Sequence, residues 1–234
     1  MGAATRSSST SVPRLVEPDF ADHLVAVSRL VDCRLARTTK DRQAIFELRY
    51  QACLREGMIS ANPFGKFFDR ADLEENARLF GLYVDGKLAS SLRIHVDSGQ
   101  YPNCPSFEVF FDVLAPLLET GKIIVDTTRI AVSERLCRLH PGLAYLNLRP
   151  CLLVAEHFHA DILLLTVRAE HQPFYRRAFN FQSLCEPRQA PNLIKPVSLM
   201  MLNLSHAEER LYQSYPFFRS TAFERKKLFV QDQW

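Results

Sequence analysis

The sequence predicts a mixed β-sheet covered by helices, an α/β (α+β) architecture, and three observations carry that expectation. In "LFGLYVDGKLASSLRIHV" two extended runs flank Asp85-Gly86, the composition favoured by a type I′ hairpin turn. "DILLLTVRA" is almost entirely apolar and so reads as a strand buried on both faces. Between such runs lie segments of helical period, giving the order helix, hairpin, helix, strand, helix, strand, short helix, strand.

The elements follow in order. Phe20, Leu24, Val25, Val27 and Leu30 are spaced for a short helix, and "CRLAR" is a first strand. "KDRQAIFELRYQACLREG" is helical, with Gly57 as its stop. Met58 to Asn76 mixes Asn-Pro, Phe-Gly and acids, and reads as a long, partly ordered loop. After the hairpin, "SFEVFFDVLAPLLETG" is a helix ending near Gly121 despite Pro116. Lys122 to Val132 is a strand. "GLAYLNLRPCLLVAEHF" is a helix with a kink or break expected at Pro150. "QPFYRRAF" is a short helix, "LIKPVSLMMLNL" a late strand, and the tail from His206 to Trp234 is helical. Residues 1–16 are Ser/Thr-rich and read as disordered. Residues 17–204 are expected to form one domain, with 205–234 a helical extension packed on it.

Composition narrows the class of protein. Hydrophobic residues make up 47% and charged residues 24% of the 234, the balance of a globular chain. A net charge of +3 does not demand nucleic acid or an anionic membrane as partner. The six cysteines (Cys33, Cys53, Cys104, Cys137, Cys151, Cys185) form no CxxC pair, so neither a zinc site nor a disulfide framework is expected. "EHFHADI" is dense in ligand types but straddles a helix end and a strand start, without a same-face pair. "MGAATRSSS" lacks the apolar core of a signal peptide, and Arg6 occupies the position where myristoylation wants Ser or Thr. No apolar run approaches the ~20 residues of a membrane span. A cytoplasmic protein with reduced thiols is the resulting expectation.

Charged residues that interrupt apolar sequence mark the candidate site. These are Arg49 in the second helix, Arg93 at the end of the hairpin, and Asp126 with Arg129 in "IIVDTTRIAVSE"; Asp69 and Asp72 in "FDRADLEEN" are their acidic companions. Any one of them reads as a structural ion pair. As a set, buried charges of both signs burden stability and gather at working sites.

"LRYQACLREGM", "FDRADLEENARLFGLYVDGKLASSLRIHV", "VDTTRIAV" and "LRPCLLVAEHFHADILLLTVRAEHQPFYRRAFNF" resemble, in that order, the autoinducer-synthase-like acyltransferases. The chain is most similar to the N-acyl amino acid synthases, and more distantly to acyl-homoserine-lactone synthases. "PFYRRAFNF" resembles the ending of the GCN5-related N-acyltransferase fold. The resemblance covers about residues 35 to 204. It implies a splayed central sheet in which a β-bulge in the fourth strand frees an amide to hold a thioester carbonyl. Acyl-carrier protein would deliver a fatty acyl group as its phosphopantetheine thioester. The α-amine of a free amino acid would attack directly, with no permanently bound cofactor. An acyl-homoserine-lactone synthase using S-adenosylmethionine and a non-catalytic acyl- or carrier-protein-binding protein are the alternatives.

Such chemistry needs a base for the ammonium, an oxyanion donor and an acid for the leaving thiolate. Asp126 is the first candidate base, then Asp69 and Asp72. Relatives commonly carry Glu where Asp126 stands, so a water relay is expected. Arg129, Arg93 and Arg49 are expected to orient these acids or clamp a carboxylate. Tyr175 matches the fold's general-acid tyrosine, and His171 is a further substrate-side candidate. Cys137 and Cys151 lack a His-plus-acid setting for nucleophilic catalysis. "FEVFFDVLAPLL" and the helix from Leu143 to Val154 offer apolar walls for an acyl chain. Arg135, Arg138, Arg149, Arg176 and Arg177 are the expected docking face for an acidic carrier protein. "SERLCRLHPGLA" stands where coenzyme A-binding relatives keep a glycine-rich pyrophosphate loop, which favours a carrier-protein donor. On a regular strand Asp126 and Arg129 point to opposite faces; one bulge between them would turn both toward one cleft.

Overall fold

The computed structural model describes residues 18–97 and 104–229, so the disorder expected for 1–16 lies outside the described residues. Helix α1 (Pro18–Leu30) leads into β1 (Val31–Leu35), and α2 (Thr39–Arg55) follows. Thr38 and Asp41 form a capping box at the start of α2, and Gly57, at φ 65°, turns the chain away at its end. The loop that follows is more ordered than its composition implies. It holds a 3₁₀ turn at Arg70–Leu73, flanked by Asp69 and braced by Asp72, whose carboxylate accepts from the Asp69 amide at 3.0 Å.

Strands β2 (Arg78–Val84) and β3 (Lys87–Asp97) form the hairpin. Asp85 and Gly86 both have positive φ, 48° and 73°, as a two-residue type I′ turn requires. Next come α3 (Ser106–Leu118), β4 (Ile124–Val132), α4 (Glu134–Leu139), α5 (Leu143–Leu146) and α6 (Leu148–Phe158). The expected break near Pro150 falls at Asn147, between α5 and α6. Pro150 thus sits in the first turn of α6, where a missing N–H is tolerated. Strand β5 (Ile162–Arg168), helix α7 (Gln172–Phe179), β6 (Gln182–Ser183), β7 (Val197–Asn203), α8 (Leu204–Ser214) and α9 (Ala222–Phe229) complete the chain.

The sheet order is β1-β2-β3-β4-β5-β7-β6. Every neighbouring pair is antiparallel except β4 and β5, which are parallel. Parallel pairing runs from Ile124↔Ile162 to Thr127↔Leu165 and stops there, while both strands continue. On the other side of β4, Arg93 pairs with Thr128 and Ser91 with Ala131. One residue of β3, Leu92, therefore opposes two of β4, Arg129 and Ile130: a β-bulge, with Arg129 in the left-handed region at φ 56°.

Each face of the sheet has its own core. One gathers α1, α5, α6, α7 and the C-terminal helices around Phe80, Leu92, Val125, Leu163 and Leu165. The other packs Met58, Phe67 and α3 against Ile124, Leu164 and Leu199. Phe218 and Phe229 are buried in the first core, and Arg149 ties the tail down, pairing with Glu224 at 2.6 Å and donating to the Phe217 carbonyl at 2.9 Å. Arg149 thus serves the fold, which removes it from the expected carrier-docking face. Glu156 of "EHFHADI" is likewise engaged, by Tyr212, Ser220 and Arg225.

Candidate active site

Where β4 and β5 part, a cavity of about 790 Å³ opens between them. Thr128 to Val132 of β4 and Thr166 to Arg168 of β5 line it, so the bulge lies in its wall. Apolar side chains from Met58, Phe107, Phe110, Leu193 and Val197 contribute to the lining. Of the two stretches expected to wall an acyl chain, α3 contributes its first turns. The α5–α6 stretch reaches the cavity only through Ala144 and Asn147, because α6 is spent in the core on the opposite face.

Three guanidinium groups share two carboxylates at the polar wall. Arg129 holds one oxygen of Asp69 at 2.6 Å, and Arg93 holds the other. Arg93 also reaches Asp72 at 3.1 Å and donates to the Thr128 hydroxyl at 3.0 Å. Asp72 is bound from behind by Arg49 at 2.6 Å. The Arg129 guanidinium lies 4.5 Å from the centre of the Phe67 ring, a cation–π contact. Burial alone would raise the Asp69 pKa, but Arg93 and Arg129 outweigh it and hold the carboxyl well below its usual range. A carboxylate so firmly ionised is a poor proton acceptor, so Asp69 acts as a brace between two arginines. Arg49 and Asp72 are buried behind the cavity wall and do not line it, which corrects the expectation that Arg49 clamps a substrate carboxylate and that Asp72 meets the substrate as a base. Burial is the main influence lowering the Arg49 pKa, with Asp72 opposing.

Asp126 and Arg129 do not pair. Asp126 is fully buried and accepts from the Ser106 amide at 2.9 Å and the Ser106 hydroxyl at 2.7 Å. Ser106 opens α3, so the carboxylate sits at a helix N-terminus. Desolvation nevertheless outweighs these bonds and raises the Asp126 pKa. The expected common cleft is therefore corrected: Arg129 lines the cavity, whereas Asp126 lies behind Ser106, which lines it in its place.

Tyr175 and His171 both line the cavity. Burial pushes the Tyr175 phenol well up, so it stays protonated. Burial first, and the charge of Arg168 second, lower the His171 pKa. Arg168 donates to His171 Nε2 at 2.7 Å, and because a guanidinium can only donate, the imidazole proton resides on Nδ1. Arg168 also spans from β5 to Glu56, at 2.8 Å. Cys151 is buried with its thiol pushed up to about 12, which rules it out as a nucleophile; Cys137 lines the cavity with a raised pKa. Arg135 and Arg138 on α4 and Arg176 and Arg177 on α7 are exposed.

Sequence reasoning passed over Ser106, Thr166 and His95. The criterion that found Asp126, a polar residue inside apolar sequence, applies equally to Thr166 in "ILLLTVR" and His95 in "LRIHV". His95 is fully buried, with Nε2 3.1 Å from the Ala71 carbonyl, so it braces the loop that carries Asp69. Desolvation, and then the charge of Arg93, lower its pKa from 6.5 to about 4. Between those values the unfolded chain binds a proton that the folded one refuses. Stability is full above 6.5 and falls as the pH drops toward 4, by at most about 3 kcal/mol. Urea unfolding of His95→Gln between pH 7 and 4.5 is expected to show a shallower decline than the parent; parallel declines would exclude His95 as the source.

A family model for the N-acyl amino acid synthase FeeM matches residues 44–203. Among solved structures, FeeM from uncultured soil microbes, described as an N-acyl amino acid synthase, is similar with a TM-score of 0.64 at 18% identity. That match covers 76% of this chain and 93% of FeeM. The acyl-homoserine-lactone synthase LasI is similar at TM-score 0.54 and 15% identity, over 79% of this chain and 96% of LasI. BjaI, a coenzyme A-dependent acyl-homoserine lactone synthase, gives 0.52 and 17%, over 79% of this chain and 88% of BjaI. No curated protein sequence matches. At these identities the structural likeness shows the fold, that of GCN5-related acyltransferases. The family match spans well over half of the chain, and the protein, an acyltransferase, belongs to the FeeM N-acyl amino acid synthase family.

Proposed function

We propose that the protein transfers a fatty acyl group from the phosphopantetheine thioester of acyl-carrier protein to the α-amine of an amino acid. The observation that carries this reading is a single cavity at the β4–β5 splay with both an apolar lining and the Arg93–Asp69–Arg129 wall. A thioester is already activated, so direct attack in a ternary complex suffices. With three guanidinium groups to two carboxylates, the wall retains positive charge suited to the acceptor's carboxylate, with Arg129 as the contacting residue. The thioester carbonyl lies at the bulge, where the unpaired backbone beside Arg129 offers an N–H to the developing oxyanion. Asp126 takes the ammonium proton, and Tyr175 protonates the leaving sulfur. Arg135, Arg138, Arg176 and Arg177 present positive charge to the acidic carrier protein, which supplies the only cofactor and places the reaction in the cytoplasm.

The test is to incubate the purified protein with acyl-carrier-protein and coenzyme A thioesters, all the amino acids and S-adenosylmethionine, and to identify lipid products by mass spectrometry. N-acyl amino acids formed from the carrier-protein donor are expected. Homoserine lactones, or transfer from coenzyme A alone, would replace the reading. Complete inactivity would favour a non-catalytic acyl-binding protein.

A further inference from the structure

We propose that Asp126 exchanges protons with the acceptor amine through a two-hydroxyl relay, Ser106 then Thr166, which ends at the point where β4 and β5 part. The inference rests on the reading of the cavity as an acyl-transfer site. Asp126 is fully buried and cannot touch a substrate in the cavity. Its Oδ1 accepts from the Ser106 hydroxyl at 2.7 Å, and the Ser106 and Thr166 hydroxyl oxygens are 2.7 Å apart. Ser106 and Thr166 both line the cavity. Thr166 is the first residue of β5 beyond the last parallel pair, Thr127↔Leu165. It lies on the sheet face of Leu164, which is the strand partner of Asp126.

The direction of the chain follows from counting hydrogens. A serine hydroxyl carries one, and with Asp126 ionised that one is given to the carboxylate. The hydrogen between Ser106 and Thr166 must then come from Thr166. The Thr166 oxygen consequently turns lone pairs toward the cavity and accepts from whatever donor stands there. An ammonium group fits that demand and a carbonyl oxygen does not.

Transfer proceeds by three hops. An ammonium proton passes to Thr166 Oγ1 as the Thr166 proton passes to Ser106 Oγ and the Ser106 proton to Asp126. The neutral amine then forms the C–N bond with the thioester carbon while the C–S bond breaks. Tyr175 gives its phenolic proton to the sulfur and takes the second nitrogen proton in its place, and Asp126 returns its proton to solvent along the same path. Thioester and ammonium thus give amide, thiol and one released proton. The groups acting on Asp126 set its readiness: Arg93 from β3 favours the ionised form and Asp97 from β3 opposes it, while the Asp126 charge, after burial, helps to raise the thiol of Cys104 ahead of α3.

Thr166→Val keeps the shape and removes the relay; Thr166→Ser restores a hydroxyl. With an amino acid acceptor, Thr166→Val and Ser106→Ala are expected to lose about 10²-fold in kcat/KM, and Thr166→Ser to recover most of it. With the α-aminooxy counterpart of that acceptor, whose nitrogen is uncharged at neutral pH, the same variants should fall only a few-fold. Equal losses with both acceptors would overturn the relay and leave the Asp126–Ser106 pair as a helix cap. If the unaltered protein acylates no amino acid, the proposed function fails and the relay is judged by a pH jump read in the infrared. Protonation of the Asp126 carboxyl should then be at least about tenfold slower in Thr166→Val, and an unchanged rate would sink the proposal.

Discussion

Asp126→Asn is expected to lower kcat by about 10²- to 10⁴-fold, the range for loss of a positioned base, while unfolding shifts little. The asymmetry follows from burial. The carboxylate carries the penalty of a desolvated charge, seen in its raised pKa, and an amide of the same shape escapes it. Only part of the Ser106 hydrogen bonding is lost in exchange, because the amide oxygen still accepts. Steady-state kinetics and urea unfolding on the same preparation check both halves. Near-normal turnover would remove Asp126 from the reaction, and a large stability loss would reassign it to the fold.

Arg93→Met is expected to have the largest effect on stability, about 3–5 kcal/mol, as for any buried ion pair deprived of one partner. Arg93 is 2% exposed and bridges Asp69 to Asp72, so its removal leaves Asp69 to Arg129 and Asp72 to Arg49 with no link between them. Arg93→Met should cost less in an Asp72→Asn background than in the parent, because the Arg93–Asp72 contact is then already lost. A loss below about 1 kcal/mol, or an equal cost of Arg93→Met in both backgrounds, would show that the network is dispensable to the fold.

Much of this architecture was legible from local chemistry. Asp85-Gly86 dictated the hairpin, Gly57 the end of α2, and the unbroken "ILLL" the doubly covered β5. The bulge was legible only as a conflict, an acid and a base three apart on one strand, and its place at Arg129 and Ile130 depends on pairing with β3. What could not be read was which buried charge meets which. Asp69 and Arg129 are sixty residues apart, and Asp126 finds Ser106 from a different element, because tertiary packing decides partners at such separations. Arg149 shows the same limit: it lies among arginines in the sequence, but its partner Glu224 is on the last helix.

The sheet order has a consequence for the newborn chain. Strand β7 lies between β5 and β6, so one edge of β5 has no neighbour until Val197–Asn203 has been synthesised. During that interval the most apolar strand of the protein offers bare amides and carbonyls to any other extended segment nearby. Vectorial synthesis therefore leaves the central sheet open on its hydrophobic side, and the strand left bare is the one that will later form a wall of the candidate active site.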